Sequence, residues 1–175
     1  ESVEVYNPST SLGITKLTKA QSKFSYRTSI FKSKKAKDWL VLSATFKLPK
    51  GDSQELTKRS REIIKIREAK YKPRLKCPGS YFKNVLLKDI SAKSNKLINL
   101  DKVRDGKIPA GYLLEEVGAC GMRKGGICVA SFHGNLLIND GTGTAKQAKS
   151  LATELKKRVQ KRFGIELEEE IRYML

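Results

Sequence analysis

The chain has 175 residues, 39% hydrophobic and 31% charged, which is enough apolar material for a packed core and argues against a disordered tail. Thirty-six Lys and Arg against 18 Asp and Glu leave a formal charge of +18, so the charge alone points to the anionic classes of partner: nucleic acid, a membrane surface or phosphorylated small molecules. No apolar run approaches the roughly 20 residues that cross a bilayer and no signal peptide is visible, so no membrane partner is expected and the cytoplasm is the expected setting.

The chain starts at Glu1, not Met, and enters at once a strand-like Val3-Glu4-Val5-Tyr6, as if cut from a longer protein. A turn at Gly13 follows. Lys37–Leu48 alternates, with Leu40, Leu42, Ala44, Phe46 and Leu48 on one side and Val41, Ser43, Thr45 and Lys47 on the other. That is the period of a strand with one buried face. Pro49-Lys50-Gly51-Asp52 punctuates the chain, and the domain boundary is expected there, giving units 1–51 and 52–175.

A helix is predicted from Ser53 to Ala69, capped by Asp52 or Ser53, with Leu56, Ile63 and Ile64 near one stripe and Lys58, Arg59, Arg61 and Lys65 opposite. Residues 109–117 read as a short helix, with Pro109 in its first turn and Gly118 ending it. Ile127–Ser131 and Leu136–Asn139 read as buried strands joined at His133-Gly134. The clearest helix runs from Thr144 to Phe163, its apolar face formed by Ala145, Ala148, Leu151, Ala152, Leu155, Val159 and Phe163, and Gly164 stops it. A last strand, Ile165–Met174, is expected to carry an acidic cluster. Helices and strands mix without a βαβ repeat, so the fold class is α+β.

Three separated motifs supply chemically different groups. Arg27, in Tyr26-Arg27-Thr28-Ser29-Ile30-Phe31-Lys32, offers a permanent cation able to grip a carboxylate through two parallel hydrogen bonds. Ser80, in Pro78-Gly79-Ser80-Tyr81-Phe82-Lys83-Asn84, offers a hydroxyl that can donate a proton to a developing carbanion when held in place. Nothing near it resembles a Ser/His/Asp arrangement. Glu170 closes the run Glu166-Leu167-Glu168-Glu169-Glu170, where strand geometry would set Glu166, Glu168 and Glu170 on one face. Taken singly, each has a plainer reading: a surface arginine, a Pro-Gly-Ser turn, a solvated acidic edge.

His133 reads as structural, in a turn between apolar strands. Gly141-Thr142-Gly143-Thr144 could meet a phosphate at a helix N-terminus, but it has no P-loop Lys-Ser/Thr and reads mainly as loop and cap. Cys77, Cys120 and Cys128 form no CxxC pair. Their odd number argues against a disulfide framework, and with one histidine no metal site is expected.

In this order the three motifs resemble the UDP-N-acetylenolpyruvoylglucosamine reductase family. Ala110-Gly111-Tyr112-Leu113-Leu114-Glu115, Gly125-Gly126-Ile127-Cys128-Val129-Ala130-Ser131, His133-Gly134-Asn135-Leu136-Leu137-Ile138-Asn139 and Gly164-Ile165-Glu166-Leu167-Glu168 continue the likeness. The resemblance implies that residues 1–51 end a flavin-binding domain and that 52–175 form a substrate-binding domain. It implies reduction of the enolpyruvyl group of UDP-N-acetylglucosamine enolpyruvate to UDP-N-acetylmuramate for bacterial peptidoglycan, with FAD as cofactor and NADPH as reductant. Ser80 matches the family's proton donor, and Arg27 and Glu170 match the residues that stabilise the enol intermediate. Asn84 matches a substrate-binding asparagine, and Lys70 is the candidate for the lysine that meets the diphosphate, with Lys72 as its competitor.

The resemblance has departures. The family's glycine-rich segment for the FAD pyrophosphate would lie upstream of residue 1, so this chain alone is expected to hold FAD poorly and to be inactive. No insertion separates Leu48 from the helix at Ser53, as in the shorter form of the family, and Glu169 stands where proline is usual. A monomer acting on a UDP-sugar is expected. The competing reading is a non-catalytic nucleic-acid-binding module, carried by the charge and the basic helix; against it stand an aromatic content of 7% and the lack of a recognised motif.

Overall fold

The computed structural model describes residues 1–71 and 74–173, apart from the side chain of Lys70. Two units emerge, Glu1–Arg67 and Glu68–Leu175, dividing inside a long helix.

In the first unit β1 (Ser2–Tyr6) is the central strand, antiparallel to β2 (Ile14–Thr18) and to β3 (Leu40–Thr45). Gly13 turns the chain between β1 and β2 at φ +69°, a left-handed conformation that favours glycine. A short helix, α1 (Lys19–Ser22), follows β2 and is closed by a capping box between Thr18 and Gln21. Val3, Val5 and Leu17 are buried, and Ile30, Phe31 and Trp39 pack on them.

The strand at 40–45 forms, but its expected buried face does not: all six residues of β3 are exposed, Leu40 by 62% and Leu42 by 52%. Alternation fixes which way side chains point along a pleat, whereas burial needs a second layer. The cover contributed by Ile30, Phe31 and Trp39 serves β1 and β2.

The helix α2 (Ser53–Lys70) begins where predicted, with Asp52 as its cap: the Glu55 N–H donates to Asp52 Oδ1 at 2.7 Å. Leu56, Ile63 and Ile64 remain about half exposed, so its stripe is not a core face within the described residues.

The second unit opens with an extended stretch through Ser80–Lys83, then β4 (Val85–Leu86), α3 (Ala92–Asn95) and β5 (Lys107–Ile108), with β4 and β5 paired antiparallel. Next come α4 (Ala110–Glu116), β6 (Arg123–Lys124), β7 (Ile127–Val129), β8 (Leu137–Asn139) and α5 (Ala145–Phe163). The strands β6, β7 and β8 make an antiparallel sheet in that order. Pro109 stands one place earlier than expected, as the residue before α4, and its carbonyl accepts the Leu113 N–H at 3.3 Å. Gly118 ends that helix at φ +68°.

The core gathers on α5. Leu151, Ala152, Leu155, Val159 and Phe163 are buried against Leu113, Leu114, Ile127, Val129, Leu137, Ile165 and Leu167. Burial of each large side chain contributes about 1.5–3 kcal/mol. Ala145, predicted on the same face, is exposed in the first turn. Thr144 and Gln147 form a capping box at the start, and Gly164 closes the end at φ +67°.

The expected last strand is not a regular strand among residues 165–173. It is an extended stretch in which Ile165 and Leu167 are buried and Glu166 and Glu168 exposed, with one bridge, Phe82 to Glu169. Its backbone partner among the described residues is the short 81–83 stretch, which offers too few residues for a ladder. Mixed helices and small antiparallel sheets give an α+β fold.

Candidate functional site

Residues 80–83 are held on both edges. On one side Ser80 bridges to Leu136, and the Tyr81 N–H donates to the Asn135 carbonyl at 3.0 Å. On the other, the Lys83 N–H donates to the Glu168 carbonyl and the Glu170 N–H to the Tyr81 carbonyl, each at 2.8 Å. This stretch therefore continues the β8 edge outward to the C-terminal stretch. It sets Ser80 and Glu170 on neighbouring backbones.

Gly79 directs the entry. Its φ of +90° is rarely adopted by residues with a side chain, while nothing lies within 4 Å of where a Cβ would stand. Conformation, not crowding, requires glycine there. The next residue, Ser80, is exposed, while Tyr81 and Phe82 are 1% exposed and anchor the stretch in the core.

Asn84 lies further along the same stretch, and its Oδ1 accepts the Ala110 N–H at 3.1 Å, a donor at the start of α4 that Pro109 leaves uncapped. Its amide orientation is thereby set. Glu170 is half-buried; Glu168 is exposed and ion-paired with Lys83. Tyr81 and Tyr173 share a hydroxyl–hydroxyl bond. Burial first, then that bond and the charge of Glu169, push the Tyr81 phenol well above its ordinary range. The Tyr173 phenol is also raised, chiefly by burial. Both phenols thus stay protonated. They border a groove of about 380 Å³ with Lys76, Asn139, Thr144 and Ile171.

Arg27 is in the first unit, in a tight loop closed by Ser25 N–H to Thr28 O at 3.0 Å and Thr28 N–H to Ser25 O at 3.2 Å. Its φ is +53°, uncommon for an L-residue, and its guanidinium lies 5.4 Å from the Tyr26 ring centroid. Lys32 Nζ donates to the Arg27 carbonyl at 2.6 Å. Ser80, Asn84 and Glu170 belong to the second unit. Lys70 ends α2, and its side chain, like the whole of Lys72, lies outside the described residues.

The Gly141–Thr144 loop is a cap. Gly141 and Gly143 N–H groups donate to Asn139 Oδ1, that of Thr142 to Asp140 Oδ1 and that of Thr144 to Gln147 Oε1, at 2.8–3.0 Å. The four N–H groups of the loop itself are thus already engaged. Thr142 and Arg123 hold the Asp140 carboxyl down at about 2. His133 is part-buried beside α4, and its Nδ1 accepts the Asn135 N–H at 3.3 Å. With Nδ1 used as an acceptor, its 3.7 Å approach to Glu115 is not a hydrogen bond.

Asn135 was not singled out by sequence reasoning. It is 2% exposed, with both ends of its amide bonded to Phe82. The only available signal was a polar residue placed between a turn and the apolar run Leu136-Leu137-Ile138.

Residues 71–174 match the family model described as UDP-N-acetylenolpyruvoylglucosamine reductase, C-terminal domain. A curated relative of that name from Solibacter usitatus is 47% identical over 155 residues, covering 89% of this chain and 49% of the relative. One from Carboxydothermus hydrogenoformans is 34% identical over 144 residues, covering 82% and 40%. The crystal structure of UDP-N-acetylenolpyruvylglucosamine reductase (MurB) from Thermus caldophilus superposes with a TM-score of 0.67 at 25% identity, over 98% of this chain and 52% of that one. The chain spans about half the length of the curated relatives it matches. With that domain matched in sequence and its fold matched in a solved structure, the chain belongs to the UDP-N-acetylenolpyruvoylglucosamine reductase family.

Proposed function

We propose that this chain is the C-terminal portion of an NADPH-dependent flavoenzyme that reduces the enolpyruvyl group of UDP-N-acetylglucosamine enolpyruvate to give UDP-N-acetylmuramate. Residues 1–51 are assigned to the end of the FAD-binding domain and 52–175 to the substrate domain. The observation that carries the reading is the hydrogen-bonded pairing of the Ser80 stretch with the Glu170 stretch, inside the segment that matches the family model.

Reduction at the terminal carbon of the enolpyruvyl group leaves negative charge on the carbon next to the carboxylate, and this charge spreads into an enolate. Ser80, exposed on an anchored backbone, is the proton donor to that carbon. Glu170 and Arg27 steady the enol form through charge and hydrogen bonds directed at it, where fixed groups are most effective. Asn84 and Lys70 are the proposed contacts to the UDP-sugar. An excess of 18 positive charges draws in a substrate that carries a diphosphate and a carboxylate. We place the enzyme in the bacterial cytoplasm, as a monomer; no helix among the described residues is long and apolar enough to cross a membrane.

The groove of about 270 Å³ in the first unit, bordered by Val3, Lys19, Phe24 and Phe46, is too small for the whole of FAD and offers its diphosphate a single lysine. FAD binding and its reduction by NADPH are therefore proposed for the full-length protein.

Calorimetric titration of the chain with UDP-N-acetylenolpyruvoylglucosamine, beside a matched oligonucleotide, tests the reading. Saturable sugar-nucleotide binding that weakens in an Asn84→Ala variant is expected. Oligonucleotide binding alone would overturn it in favour of a basic nucleic-acid module.

A further inference from the structure

The N–H and C=O of Phe82 face away from the C-terminal stretch, whose bonds go to the Tyr81 carbonyl and the Lys83 N–H. Both groups are taken by one side chain. Asn135 Oδ1 accepts the Phe82 N–H and Asn135 Nδ2 donates to the Phe82 carbonyl, each at 2.8 Å. A neighbouring strand would satisfy the same two groups, and here a buried amide does so instead. A primary amide carries the donor and the acceptor that this task needs, whereas an ionised carboxylate only accepts. The Asn135 carbonyl adds a third bond, from the Tyr81 N–H, at 3.0 Å.

We propose that Asn135 is a positioning residue for the Ser80–Glu170 site, gripping Phe82 so that the hydroxyl and the carboxyl on either side of it keep their mutual placement. The inference rests on the reductase reading, while the grip itself does not. A misplacement of about 1 Å in such a site is enough to slow turnover on the order of a hundredfold.

The test is Asn135→Asp, with Asn135→Ala as its control. An ionised aspartate sets oxygen against the Phe82 carbonyl; a protonated one donates to it again. Its folded pKa is therefore raised above the ordinary value of about 3.9. For such an acid the two states agree below pH ~3.9, and the folding constant then falls about tenfold per pH unit until the folded pKa is reached. The nearby titratable and charged groups include His133, Glu115, Tyr81, Tyr173, Lys83, Glu168, Glu169 and Glu170, all common to both variants, so the difference between the variants isolates position 135.

In the full-length protein, N135D is expected to slow reduction of the enolpyruvyl substrate about 10–100-fold at pH 8 with KM little changed, and to recover towards pH 5, while flavin reduction by NADPH is unaffected. N135A is expected to show a loss that does not recover. Equal losses in both half-reactions, or N135D and N135A behaving alike with pH, would overturn the proposal. Should N135D not fold, hydrogen exchange in the native chain decides: the Phe82 amide is expected among the slowest of its unit, and exchange as fast as the Ser25–Thr28 loop would overturn it. A native full-length protein inert towards the UDP-sugar, with the pH-dependent folding loss of N135D intact, would sink the reductase reading and leave the grip standing.

Discussion

The backbone N–H of Glu170 donates to the backbone carbonyl of Tyr81 at 2.8 Å, linking two motifs that stand 89 positions apart in the chain. Because the link is backbone to backbone, side-chain changes at Ser80 leave it intact. The chemistry of this site can therefore be removed without dismantling its frame.

Ser80→Ala in the full-length protein is expected to leave flavin reduction by NADPH largely unchanged and to slow reduction of the enolpyruvyl substrate by about 10²–10⁴-fold, the range for a positioned proton donor. Stability should move by no more than about 0.5 kcal/mol, since Ser80 is exposed. Stopped-flow measurement of the two half-reactions separates the outcomes. Equal slowing of both would rule out the proton-donor role.

Arg27 keeps a left-handed backbone at φ +53° despite its side chain. Such a conformation costs an L-residue about 1–2 kcal/mol. Arg27→Gly and Arg27→Ala both remove the guanidinium and its contacts and both are expected to weaken UDP-sugar turnover, but only glycine relieves the backbone, so the glycine variant is expected to be the more stable of the two by about 1 kcal/mol. Urea unfolding of the two variants decides it; a glycine variant no more stable than the alanine one would show that the left-handed backbone is not strained.

How much of this was legible in the sequence depends on whether the signal was local. The α5 stripe, the Gly164 stop and the Asp52 cap are written in a few adjacent residues, and the structure has them. The buried face of β3 and the last strand, over the described residues 165–173, failed as expectations for one reason. Alternation is local, but a second layer and a long enough partner are not. Ser80 and Glu170 were named through resemblance, yet their pairing depends on bonds across distant segments. Asn135 escaped notice because its partner, Phe82, lies 53 positions away.

That contrast has an energetic test. Leu155 is fully buried in the second unit, whereas Leu42 is 52% exposed on β3, although both sit in well-patterned elements. Leu155→Ala is expected to cost about 2–5 kcal/mol through lost burial and a cavity, and Leu42→Ala no more than about 1 kcal/mol. Chemical denaturation of the chain measures both. A large loss at Leu42 would mean that β3 is covered in solution.

Asp140 supplies the pH test. The Thr142 N–H, then Arg123 and the Thr142 hydroxyl, lower its carboxyl from 3.8 to about 2 in the folded chain. With the folded value below the unfolded one, the ionised group stabilises the fold fully above pH ~4, and that contribution is lost as pH falls towards 2. Asp140→Asn cannot titrate. The native chain is therefore expected to be more stable than Asp140→Asn at pH 6, with the difference shrinking between pH 4 and 2. Thermal melts of the two proteins across pH 2–7 measure this, and parallel curves over that range would mean that the loop ahead of α5 does not hold its carboxylate as described.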